Sequence, residues 1–246
     1  PDVVVAGYGM NDGIYHPFSE ERFRAYQEGI GLLIDKVHRS GATLVLLTPP
    51  AFDPLPMGKK GKLAKIDAPK FAWTDIYEDY DSVMKRYADW VLTQFEPVEM
   101  VVDLHSPVNR HLAKVRQTDP DFVMSGDGVH VDFAGQALIA EAILQAWGFP
   151  EGSSQVDSGL YQLVHSKHEI LHAAWLTHTG HTRPGMKAGL PLAKAAEIAA
   201  GINQKMVATH RGSDHFEAIV GKVSSERPIR LFNGINLLGW NGDMQY

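Results

Sequence analysis

The chain has 246 residues, 44% of them hydrophobic, enough for one sizeable core and a smaller companion. Its 29 acidic and 23 basic side chains leave a formal charge of −6, which argues against a nucleic-acid surface, and no apolar run reaches the length of a membrane span. The absence of cysteine excludes disulfides, thiol catalysis and Cys-based zinc sites without identifying a compartment.

Asp2-Val3-Val4-Val5-Ala6 is a short β-branched run that reads as a buried strand. Gly7-Tyr8-Gly9-Met10-Asn11-Asp12-Gly13 follows as a tight, irregular loop. Ser19 caps a helix expected to run to about residue 39, with Glu20 and Glu21 in its first turn. Phe23, Tyr26, Ile30, Leu33, Ile34 and Val37 recur on it at helical spacing. Gly41 stops the helix and 43–47 is a second buried strand, completing the strand-helix-strand unit of a parallel sheet.

Thr48-Pro49-Pro50 ends that strand, and a long segment with Lys59, Lys60, Lys62 and Lys65 runs to about residue 73. Structureless loops of this length are uncommon inside domains, so the segment is either a lid or binding loop or a solvated insertion. A helix is expected over 75–95 with Val83, Tyr87, Trp90, Val91 and Phe95 inward, then a strand over 99–103 and a helix over 107–115. Asp103, at the strand's end, reads as structural.

Asp127-Gly128-Val129-His130 comes next, at the entrance to a helix over 131–147 capped by Asp132. An acid and an imidazole three residues apart suit hydrolytic chemistry. The carboxylate fixes the tautomer through one ring nitrogen and leaves the other to take a proton from a hydroxyl. Alone, the same four residues read more readily as an Asp-Gly turn with a histidine that caps or packs. The Gly9-Met10-Asn11-Asp12 loop adds weight: it follows a strand, so Asn11 lies at the carboxyl edge of the sheet, where its amide N–H is a donor to a developing oxyanion. Gly9 and Asp12 are cleft candidates beside it, with Asp12 otherwise bracing the loop.

Residues 151–158 are polar and read as a boundary, followed by helices over 160–176 and 191–207 around a loop at 177–190. His165, His168 and His172 share one helical face, suited to a metal or to a polar surface stripe; no acid completes the set, and neither a metal nor a cofactor is assigned. His178, His181 and Arg183 either line a cleft beside His130 or cap the helix junction. After Arg227-Pro228 the texture becomes that of an opening β module.

Three stretches carry a resemblance: Val-Val-Val-Ala-Gly-Tyr-Gly-Met-Asn-Asp at 3–12, Leu-Leu-Thr-Pro-Pro at 46–50 and Asp-Gly-Val-His-Val-Asp-Phe-Ala-Gly-Gln-Ala-Leu-Ile-Ala at 127–140. Through them, residues 1–148 resemble the SGNH (GDSL-type) esterase and acylhydrolase family. The resemblance implies an α/β, flavodoxin-like three-layer fold around a five-stranded parallel sheet. It also implies Asn11 as oxyanion-hole donor, His130 as general base and then acid, Asp127 as the acid that orients it, no cofactor, and a secreted or periplasmic setting. The family's nucleophile lies in a Gly-Asp-Ser motif after its first strand, and its glycine donor after the second. Neither precedes Asn11 here; Gly212-Ser213-Asp214 has the wrong order, and Ser125 is on another loop.

The expectation is therefore a domain incomplete at its N-terminus, with its serine upstream, an open edge on the 3–6 strand, and poor solubility and activity when expressed alone. Residues 174–192 resemble a segment that follows SGNH domains in large secreted planctomycete-type proteins. Residues 231–240 resemble the start of a 3-keto-disaccharide hydrolase-type, concanavalin-like β-sandwich. The organisation so implied is an SGNH-type domain at 1–148, a helical extension at 149–226 and the beginning of a truncated β-sandwich at 227–246. The implied substrate is a small acyl ester or an acylated carbohydrate, with a catalytically inactive glycan-binding relative as the alternative and a metal-dependent hydrolase behind both.

Overall fold

The computed structural model describes residues 3–152, 157–181, 185 and 187–210. They divide into two compact units, one up to residue 155 and one from residue 156. The first holds β1 (Val3–Gly7), α1 (Glu20–Arg39), β2 (Thr43–Leu47), α2 (Leu55–Lys59), β3 (Leu63–Ala64), β4 (Ile76–Tyr77), α3 (Tyr80–Val91), β5 (Met100–Val102), α4 (His105–Val115) and α5 (Phe133–Ala146). The second holds α6 (Ser158–His178) and α7 (Leu192–His210).

The first unit is mixed α/β. Its main sheet has the order β1-β2-β5 and is parallel throughout, with Val3 opposite Thr43, Gly7 opposite Leu47, and Val45 opposite Met100. Among the described residues this sheet has three strands, against the five implied by the family resemblance. Side chains alternate across it, as the strand period of two requires. Val4, Ala6, Leu44, Leu46 and Val101 face a core filled from α1 and α3, while Val3, Val45, Leu47, Met100 and Val102 face Ile139, Ala142, Ile143 and Trp147 at α5. Helices therefore cover both faces. Among the described residues strand β1 is an edge of this sheet, and its Val5 is 46% exposed.

Helix α1 forms where its cap and periodicity place it. The Ser19 hydroxyl accepts from the Arg22 amide, and Tyr26, Ile30, Ile34 and Val37 are its buried stripe. Helix α3 buries Tyr80, Val83, Met84, Tyr87, Ala88 and Val91. Tyr26 and Tyr87 meet with ring centroids 4.7 Å apart, and Phe23 and Tyr87 at 5.0 Å, pairs worth about 0.5–1.5 kcal/mol beyond their buried area.

Two expectations are corrected here. The helix expected from residue 75 begins at Tyr80, because Ala72 and Asp75 close a tight bridge and Ile76–Tyr77 pairs with Leu63–Ala64 as β4. It stops at Val91 in a run of turns before Pro97, whose ring disfavours helical backbone at the residue ahead of it. Phe95 therefore leaves the inner face and is 61% exposed. The 48–73 segment, expected to be a structureless loop, is partly ordered instead: Phe52 and Met57 are buried in the core, α2 forms, and β3 pairs with β4.

In the second unit α6 and α7 pack through small residues, with Ala174, Ala195 and Ala199 buried. Gly189 lies so close to the α6 backbone at Ala173 that any side chain there would collide with it. Among the described residues no helix is long and apolar enough to cross a membrane. The expected β module at 227–246 and Gly212-Ser213-Asp214 lie outside the described residues.

Candidate active site

The loop before α5 is closed at its base: the Asp132 amide donates to the Met124 carbonyl at 2.6 Å, and Ser125 bridges Val131. Inside it, Asp127 organises its neighbours. Its Oδ1 accepts from the Ser125 hydroxyl at 2.8 Å, the Val129 amide at 2.9 Å and the His130 amide at 2.8 Å. Its Oδ2 is left for His130 Nδ1 at 2.7 Å. Burial pushes the Asp127 carboxyl up, but the hydrogen bonds from the His130 ring, the His130 and Val129 amides and Ser125 outweigh it and hold the group far below the usual carboxylate range. The anion is thus secured at neutral pH. With Nδ1–H committed to that anion, the neutral imidazole presents the Nε2 lone pair outward. The His130 side chain is 82% exposed, and among the described residues Nε2 has no hydrogen-bond partner. A ring held in this way can accept a proton at Nε2 from a hydroxyl brought within reach.

The chain leaving β2 supports this loop. Gly128 has φ +79°, and a Cβ on it would run into the Asp53 carbonyl and the Phe52 ring. The Asp53 amide donates back to the Gly128 carbonyl at 3.0 Å. Asp53 is buried, with its Oδ2 2.6 Å from Arg116 Nη2, while Arg116 also donates to the Phe122 carbonyl. The Phe52 amide donates to Asp81 Oδ1 at 2.8 Å, and His105 Nε2 lies 3.1 Å from the same oxygen. Asn109 Nδ2 donates to Asp81 Oδ2 at 3.0 Å. Burial pushes the Asp81 carboxyl up, yet His105, Asn109 and the Phe52 amide together hold it below its usual value.

The lysine cluster divides. Lys59 pairs with Asp121 at 2.8 Å and Lys60 Nζ donates to the Gly126 carbonyl, so both tie α2 to the 119–126 stretch. Lys62 and Lys65 are exposed.

Asn11 sits on the loop leaving β1. The Gly9 amide donates to Asp12 Oδ2 at 2.9 Å, and the Asp12 and Ile14 amides donate to the Gly9 and Asn11 carbonyls at 3.1 and 3.0 Å. Asp12 therefore braces the loop. Gly9 has φ +129° and rests on the Pro49 ring, where a Cβ would lie 3.0 Å from Pro49 Cβ and Cγ. Both loops consequently rest on the segment leaving β2, at the carboxyl end of the sheet. Asn11 is exposed, and its Oδ1 accepts from the Tyr15 hydroxyl at 2.7 Å. Asp103 accepts from the Ser106 amide at 3.1 Å at the start of α4.

Sequence reasoning singled out Asn11, Asp127 and His130 but missed Tyr15, Asp53, Asp81, His105 and Arg116. A signal existed for one of them: Phe52-Asp53-Pro54 is a turn-forming Asx-Pro step. Tyr15, Asp81 and His105 carry no local mark, since their partners lie on distant or irregular segments. Ser125 braces Asp127, and its hydroxyl points at the carboxylate rather than at His130. His178 and His181 belong to the second unit, where the His178 ring meets Trp175 edge-on at 5.7 Å; Arg183 lies outside the described residues. His168 stacks on His172 at 5.4 Å, and among the described residues no group of three or more His, Asp or Glu is arranged to hold a metal ion.

No protein-family model matches the chain, and no curated protein matches it. Among solved structures it is similar to one described as a gut microbial diltiazem-metabolizing enzyme, with 21% sequence identity and a TM-score of 0.44. The match covers 61% of this chain and 33% of that one, so the chain spans about a third of that protein's length.

Proposed function

We propose that residues 1–148 form part of an SGNH-type ester hydrolase in which Asp127 and His130 are two members of a Ser-His-Asp triad and Asn11 is an oxyanion donor. What supports this reading is the 2.7 Å bond between Asp127 Oδ2 and His130 Nδ1 on a ring whose other nitrogen is solvent-facing. In this reaction a serine hydroxyl supplied from outside the described residues gives its proton to His130 Nε2 and attacks the ester carbonyl. The oxyanion takes a hydrogen bond from Asn11 Nδ2, in a role worth roughly 3–4 kcal/mol in other hydrolases. His130 returns the proton to the departing alcohol, and water then releases the acid by the same steps. Small acyl groups, O-acetyl esters on carbohydrates in particular, are the proposed substrates, with a β-sandwich fused on the C-terminal side.

Labelling of the full-length protein with a fluorophosphonate tests the proposal. The expected result is a serine adduct that is lost in His130→Ala. A folded protein that forms no adduct and turns over no p-nitrophenyl acetate removes the hydrolase reading and leaves a glycan-binding relative with Asn11, Asp127 and His130 as scaffold.

A further inference from the structure

A carboxamide on an exposed side chain offers two different ends. One is the Oδ1 acceptor and the other the Nδ2 donor pair, and rotation about χ2 exchanges them at little cost. An oxyanion donor that spends half its time presenting a carbonyl oxygen repels the charge it should stabilise. In the loop that carries Asn11, the carboxamide oxygen is engaged by the Tyr15 hydroxyl four residues on.

Ile14 and Tyr15 have φ values of +47° and +62°, two consecutive non-glycine residues in left-handed backbone. Side chains rarely tolerate that conformation, and such residues concentrate where the surrounding structure holds them for a purpose. Here the surroundings are explicit. Tyr80, completely buried, stands beneath the loop, and its hydroxyl donates to the Met10 carbonyl at 2.6 Å. Gly13 is pressed against that hydroxyl so closely that no side chain would fit. The Tyr77 amide donates to the Tyr15 carbonyl at 3.0 Å, and the Tyr15 ring lies 5.5 Å from the Tyr80 ring. The left-handed turn thereby folds Tyr15 back over its own loop and delivers its hydroxyl to Asn11 Oδ1 at 2.7 Å.

We propose that Tyr15 is a positioning residue that locks the Asn11 carboxamide with Oδ1 on its hydroxyl and Nδ2 turned to the substrate side. The inference rests on the ester-hydrolase reading of Asn11 and deepens it. The Tyr15 hydroxyl has to keep its proton for this role, and partial burial together with the nearby Asp127 charge raises its pKa above the ordinary phenol value.

The test uses the full-length protein and p-nitrophenyl acetate. Tyr15→Phe keeps the ring on Tyr80 and removes only the hydroxyl. The expected result is a drop in kcat of about 10-fold or more with KM within about 2-fold, against a drop of about 10²–10³-fold in Asn11→Ala. In the Asn11→Ala background Tyr15→Phe is expected to change kcat by less than about 2-fold, because the lock has nothing left to hold. An effect confined to KM, or an equal loss in both backgrounds, overturns the proposal. A second measurement needs neither turnover nor the Tyr15 variant. The Asn11 side-chain amide protons, identified by their loss in Asn11→Ala, are expected to show only weak cross-relaxation with the Tyr15 ring protons, because Oδ1 lies between them; strong cross-relaxation means that the amide faces the other way and overturns the lock. An unchanged protein without turnover counts against the hydrolase reading, and the nuclear magnetic resonance contact then decides the lock by itself.

Discussion

Asp53 and Gly128 are joined back to back: the Asp53 amide donates to the Gly128 carbonyl at 3.0 Å, while the Asp53 carbonyl fills the space a Gly128 side chain would need. The Asp127–His130 pair is thus carried on a turn that only glycine can complete, because φ is +79° and the Cβ position is occupied. Gly128→Ala is expected to cost roughly 2–4 kcal/mol, combining left-handed strain with overpacking against backbone. Urea denaturation measures it, and an unchanged midpoint would show that the turn tolerates a side chain.

Asp81 is the hub behind that junction. Its carboxylate holds the Phe52 amide, His105 and Asn109 together, and the His105 side chain is nearly inaccessible. Asp81→Ala leaves the Phe52 amide and the His105 ring without their acceptor, which is expected to destabilise the first unit by about 2–3 kcal/mol, somewhat below the range for a fully buried pair because Asp81 is partly open to solvent. Asp81→Asn retains an acceptor oxygen and should lose less. Equal losses in the two variants would argue that the charge, not the geometry of the acceptor, holds the hub.

Both carboxyls are held below their ordinary value of 3.8 in the folded chain. A depressed folded pKa means that the unfolded chain binds protons first as pH falls. Their contribution to stability is therefore fully present above about pH 4 and is lost as pH drops through the lower folded values. Denaturation midpoints are expected to be flat with respect to Asp127 and Asp81 from pH 5 to 7 and to fall below about pH 4. The fall should be shallower in Asp127→Asn. An identical acid profile in that variant would contradict the assignment of Asp127 as a strongly stabilised anion.

For the proposed ester hydrolysis, Asp127→Asn in the full-length protein is expected to reduce kcat by about 10³–10⁴-fold with little change in KM, because the amide no longer holds the tautomer that leaves Nε2 as an acceptor. Activity retained within 10-fold would mean that some other base serves the reaction. Ser125→Ala removes a brace from Asp127 and no reacting group, so its effect on kcat should be smaller by at least about 100-fold than that of Asp127→Asn.

Much of this architecture was legible in the amino acids because it depends on local periodicity and caps. The 43–47 strand, the Ser19 and Asp132 caps and the helices they start follow from side-chain spacing and from hydrogen bonds that reach three residues along the chain. The Asp127–His130 pair is of the same kind: a side chain three residues back can reach the ring without help from any distant segment. Asp12 bracing Gly9 is another such case.

The helix start at Tyr80, the exposure of Phe95 and the ordered part of the 48–73 segment needed tertiary partners. Residues 75–79 give up helix for pairing with β3, and a pairing partner many residues away leaves no mark in a local pattern. The same holds for the supports of the candidate site. Asp81 meets His105 and Phe52, Asp53 meets Gly128 and Arg116, and Gly9 meets Pro49 only when three loops converge at one end of the sheet. The sequence by itself determined which residue types and turns stand ready for acid-base chemistry, because short-range geometry is written in spacing. Only the tertiary structure decided which partners hold them, because long-range hydrogen bonds and close backbone contacts depend on how parallel strands bring separate loops together.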